Sequence, residues 1–130
     1  MTFLPIFAIS LGASLGALLR WCFSQNFNPV FATLPLGTLA SNLVGGYLVG
    51  LSVSWLGAHP EFPPEVRLLL VTGFLGGLTT FSTYSAEVVT LMSDGRYAWA
   101  LGCALVHLIG SFALTALGMA TYRWFTHSIS

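Results

Sequence analysis

The chain has 130 residues, 55% of them hydrophobic and 6% charged, with a formal net charge of zero. An ordinary soluble domain carries about 25% charged residues, so this composition excludes a soluble monomer, and it excludes disorder as well. Zero net charge and the absence of Lys also argue against a nucleic-acid partner.

Asp, Glu, Lys and Arg are missing from residues 1–19, 21–60, 68–86 and 97–122. A helix needs about 20 mainly apolar residues to cross a bilayer. The charge map therefore predicts an all-α membrane protein, a single membrane domain over 1–130 with helices at about 3–23, 36–56, 67–92 and 97–124. The first run lacks a basic leading segment and continues past any small-residue cleavage site, so it reads as a span rather than a signal peptide. It carries Gly12 and Gly16 as GxxxG and ends near Arg20, close enough to the interface to snorkel.

The first connection is polar from Ser24 to Asn28 and is punctuated by Pro29 and Pro35. Span two presents two ridges of small residues, Gly37/Ser41/Gly45 and Gly46/Gly50/Ser54, suited to close helix packing. Asn42 is the amide well inside it. Its NH2 can donate to an anion and its carbonyl can bond another helix. Pro60, Pro63, Pro64 and Glu65 mark the second connection, with Glu65 placed to complement a helix N-terminus.

Span three is the unusual one. Gly73, Gly76 and Gly77 precede six hydroxyl residues within positions 79–85. Gly weakens a helix, and Ser and Thr compete for its backbone bonds. This predicts a helix broken near its middle, at 76–80. Irregular backbone at membrane depth is tolerated only inside protein or beside a water-filled cavity. A break frees carbonyls that suit a cation and N–H groups that suit an anion; a continuous helix with its hydroxyls bonded back to its own backbone is the alternative. Glu87 is the acidic group inside a span, a functional candidate by its placement. Ser93–Arg96 reads as a tight turn.

Span four carries Cys103, His107, Ser111 and Thr115 at i+4 spacing, on one slowly winding face. The stripe either lines an aqueous path or bonds neighbouring helices. His107, with no partner in sequence, reads as structural. Cys22 and Cys103 match no zinc or redox spacing.

Four spans put both termini on one side. The four Arg then divide two against two: Arg20 and Arg96 on one side, Arg67 and Arg123 on the other. The positive-inside rule orients a chain by an excess of Lys and Arg. Balanced counts allow insertion in both directions, and so an antiparallel dimer whose eight helices resemble the inverted repeats of larger transporters.

The stretch TGFLGGLTTFSTYSAE at 72–87, with GTLASNLVGG at 37–46 and GALLRW at 16–21, strongly resembles the CrcB/Fluc fluoride channels of bacteria. The resemblance covers nearly the whole chain. It implies an antiparallel dual-topology homodimer in the bacterial inner membrane, with two pores that export fluoride passively and protect the cell from its toxicity. It implies that Phe81 and Tyr84 are the paired pore aromatics, whose positive ring edges face the anion. Asn42, Thr83, Ser111 and Thr115 would line the path, and Arg20 and Glu87 would stand at the vestibules. A structural sodium ion, not transported, would be held by backbone carbonyls of Gly76 and Thr79 from both subunits. Tyr84 departs from the usual Phe, adding a hydroxyl.

Fluoride is strongly hydrated, so a pore must replace its water with donors that bind without trapping it. A small multidrug-type proton-coupled exporter is the other transporter reading, but it wants a carboxylate in its cavity, for which Glu87 is the only candidate. A purely structural membrane subunit leaves the hydroxyl cluster unexplained. Without a nucleophile–base pair or metal set, an enzyme is not expected.

Overall fold

The computed structural model describes residues 2–129. Among these the chain is helical with no strand, and four helical segments are long and apolar enough to cross a membrane. We name them α1 (Leu4–Phe27), α2 (Leu36–Ala58), α3 (64–78), α4 (Phe81–Ser93) and α5 (Tyr97–Ile129), with α3 and α4 together making the third span. Over Leu68–Leu75, α3 widens to π-type winding.

Most helices run beyond the expected limits. α1 continues through Ser24–Phe27, where Asn26 bonds back to the Cys22 carbonyl, and the chain leaves α-helical form only at the Asn28–Val30 turn that contains Pro29. α3 starts at Pro64, whose fixed φ suits a first turn, with Glu65 beside it. α5 passes Arg123 because no Gly or Pro stops it, and Thr126 and Ser128 fold their hydroxyls onto the Tyr122 and Trp124 carbonyls. The turn at 93–96 is closed by Gly95 at φ 75°, a conformation natural to Gly. The Gly95 and Arg96 amides there bond back to Met92 and Leu91.

α2 is the central helix, packed against α1 on one side and α5 on the other. The two halves of span three part company: α3 packs on α1, and α4 packs on α5. Small residues set these distances. Gly12 and Gly16 lie against the backbone of α3, where a Cβ on Gly16 would meet the Phe74 carbonyl, and Gly77 packs reciprocally on Ala13. Gly50 and Gly118 bring α2 and α5 together in the same way. The small-residue ridges of α2, except its end at Ser54, are thus buried within one chain. Asn28 Oδ1 caps α2 from across the loop, accepting from Gly37 N (2.7 Å) and Thr38 N (3.1 Å). Arg96 reaches Thr33, which ties the first and third connections together on one side.

Candidate functional site

Between α3 and α4 the backbone is extended at Thr79 (φ −84°, ψ 154°) and Thr80 (φ −148°, ψ 119°). Helix ends leave backbone groups without partners, and at membrane depth the protein itself must supply them. Asn42 of α2 holds the Thr80 peptide. Its Oδ1 accepts from Thr80 N (2.8 Å), and its Nδ2 donates to Thr80 O (3.0 Å). Arg20 Nε donates to Gly77 O (3.0 Å), the carbonyl that a continuous helix would pair with Phe81. Thr80 Oγ1 caps α4 by accepting from Thr83 N (3.1 Å). The amides of Thr80 and Thr83 are therefore turned away from the Gly76 and Thr79 carbonyls that they would bond in an unbroken helix.

The second N–H of Asn42 donates to His107 Nδ1 (2.9 Å). The Thr80 peptide decides which end of the Asn42 amide is nitrogen, so Nδ1 is the acceptor and the ring proton sits on Nε2. Both donors of Asn42 are thereby committed within the chain. Tyr84 stacks on the His107 ring at 4.5 Å and donates its hydroxyl to Ala104 O (2.9 Å). Phe81 meets Tyr84 edge-on at 5.6 Å and 75°, and is 78% exposed.

A cavity of about 270 Å³ opens over this group. It is lined by polar Asn42, Thr79, Thr80, His107 and Ser111, aromatic Phe81, Tyr84 and Phe112, and Gly46 and Leu108. Of the residues singled out from sequence, Asn42, Thr79, Phe81, Tyr84 and Ser111 come together here. Gly76, Thr83, Arg20, Glu87 and Thr115 lie outside the lining: Thr83 is bonded to Thr80, Arg20 to Gly77, and Thr115 Oγ1 donates to Gly46 O at 3.0 Å. His107 and Thr80 are the residues that sequence reasoning undervalued. The signal available for His107 was its place one turn before Ser111 on the polar stripe.

The CrcB-like family (camphor resistance, CrcB) matches residues 7–119. The chain belongs to the CrcB family. Within the family it is similar to the fluoride-specific ion channel FluC of Tolumonas auensis, with 60% identity over 116 residues, 89% of this chain and 91% of that one. The FluC protein of Burkholderia cenocepacia is 58% identical over 121 residues (93% and 94%), and that of Nitrosospira multiformis 56% over 117 (90% and 91%). CrcB membership and four spanning helices make this a multi-pass bacterial membrane protein, in a family of ion channels rather than enzymes.

Proposed function

We propose that this CrcB chain is a fluoride-selective channel that exports the ion passively and so protects the cell from fluoride. The observation that carries the reading is the cavity that Phe81, Tyr84 and Ser111 line together beside Thr79 and Thr80, in a chain 60% identical to a protein named for fluoride conduction. Aromatic edges and hydroxyls attract an anion without a fixed positive charge that would hold it. No carboxylate lines the cavity among the described residues, which favours the channel over a proton-coupled exporter.

The pore runs past Phe81 and Tyr84 and along Ser111, Thr115 and Thr83, with Arg20 bonded to Gly77 O at the break and Glu87 beside Cys103 and His107 rather than at the vestibules. Asn42 acts by holding Thr80 in place. The working unit is an antiparallel, dual-topology homodimer with two pores, supported by the even division of Arg20, Arg67, Arg96 and Arg123. The backbone carbonyls of Gly76 and Thr79 would hold a structural sodium ion shared with the second subunit. Those carbonyls fit a hard cation because the Thr80 and Thr83 amides bond elsewhere. Fluoride efflux from liposomes containing only this protein, measured against chloride efflux, tests the reading; chloride passing as fast as fluoride, or no fluoride efflux, would refute it.

A further inference from the structure

We propose that Glu87, Cys103 and His107 form a binding site for a thiophilic divalent cation of the zinc or cadmium type, distinct from the Gly76 and Thr79 carbonyls and sharing only His107 with the cavity lining. Ligand atoms of all three side chains lie within 4.8 Å of one another. Cys103 and His107 stand one turn apart on α5, and Glu87 is brought to them by α4. Cys103 is 1% exposed and carries a free thiol, and His107 is 3% exposed. Two of the three ligands have a buried polar atom with no hydrogen-bond partner among the described residues, His107 Nε2 and Glu87 Oε2. Thr38 Oγ1 is likewise buried and without a partner among the described residues. Buried polar atoms are normally satisfied, and a thiolate, an imidazole nitrogen and a carboxylate oxygen are a donor set for Zn2+ or Cd2+ with a fourth position left for water.

The tautomer of His107 ties this site to the break in span three. With Nδ1 accepting from Asn42, the ring proton occupies Nε2, the nitrogen that a metal would need. With Glu87 already a carboxylate, loading the site moves that proton to Nδ1 and releases the Cys103 thiol proton to solvent, one net proton; a protonated Glu87 would release a second. The new Nδ1–H then faces the Asn42 NH2, donor against donor. Asn42 must let go of His107 or turn over, and turning over breaks its pairing with Thr80. Metal binding and the Asn42–Thr80–His107 arrangement therefore oppose each other.

The test is a Cd2+ titration of the purified dimer, read by the thiolate-to-cadmium ultraviolet band and by bound metal per chain. Cys22 is exposed and is removed first by Cys22→Ser. The Cys22→Ser protein should bind one Cd2+ per chain. Cys103→Ser and Cys103→Ala in that background should lose the band, and Glu87→Gln should weaken binding by more than the roughly 10–100-fold typical of losing an outer-sphere partner. Asn42→Ala should bind Cd2+ at least as tightly as its parent, because the opposing hydrogen bond is gone. These readouts do not depend on fluoride conduction. A band that survives in Cys103→Ser and Cys103→Ala, or absence of stoichiometric Cd2+ in the Cys22→Ser protein, would overturn the site. Asn42→Ala binding tenfold weaker than its parent would overturn the coupling.

Discussion

Asn42 holds the peptide of Thr80 at both ends, accepting from its N–H at 2.8 Å and donating to its carbonyl at 3.0 Å, across 38 positions of sequence. One side chain on the central helix thus gives the Thr80 N–H the acceptor that Gly76 would supply in an unbroken helix, and its remaining N–H sets the tautomer of His107. Removing it by Asn42→Ala leaves several inward-facing polar groups unpaired, each costing about 1–3 kcal/mol. Asn42→Asp keeps the acceptor for Thr80 N–H but sets an oxygen against Thr80 O and His107 Nδ1, and a like charge beside the anion. Both should lower thermal stability and cut fluoride efflux from liposomes more than tenfold. Parent-rate efflux through a folded Asn42→Asp protein would contradict the role given to the amide.

Phe81 and Tyr84 separate the aromatic edge from mere bulk. Phe81→Ile keeps much of the volume but loses the quadrupole, so efflux should be nearly abolished. Tyr84→Phe keeps the ring and should keep efflux. Losing its bond to Ala104 O should cost about 0.5–1.5 kcal/mol in thermal unfolding. A folded, dimeric Phe81→Ile protein conducting at the parent rate would show that the rings only fill space.

The contact of α1 with α3 depends on Gly16, whose Cβ would stand 2.8 Å from Leu78 N and still closer to Phe74 O. Backbone cannot yield as a side-chain tip can, so Gly16→Ala should destabilise by about 1–3 kcal/mol. Gly57, also helical, faces open space. Gly57→Ala should be neutral or stabilising by up to about 1 kcal/mol. Thermal unfolding in detergent compares the two, and equal effects would contradict the packing argument.

Dual insertion predicts that a tag after the C-terminus is labelled on both sides of the membrane in one population. Labelling almost wholly from one side would contradict it. Adding several Lys to the turn at 93–96 should force one orientation and silence the protein until an oppositely biased copy is co-expressed.

If the Gly76 and Thr79 carbonyls hold sodium between subunits, the ion stabilises the dimer by mass action. Replacing sodium with a large organic cation on both sides should lower dimer stability or efflux. Unchanged stability and flux would count against the ion.

The sequence by itself determined the class. Charge-free runs long enough to span a bilayer leave no other folded solution, and the 72–87 motif carries the family. It also marked the third span as weak helix, because three Gly and a run of hydroxyls cannot hold a lipid-facing helix unaided. Helix ends were less legible: α1 and α5 outran their apolar runs by bonding polar side chains back to their own carbonyls. Only the tertiary structure decided what satisfies the backbone at 79–80. Asn42 and Thr80 are distant in sequence, and a side-chain amide read alone is equally a ligand for an ion or a partner for a helix. The packing of α2 between α1 and α5 turns that amide onto the Thr80 peptide. The same packing joins Glu87 to Cys103 and His107, a grouping that no spacing along the chain announces, because its members arrive on two helices whose approach is fixed by contacts made elsewhere.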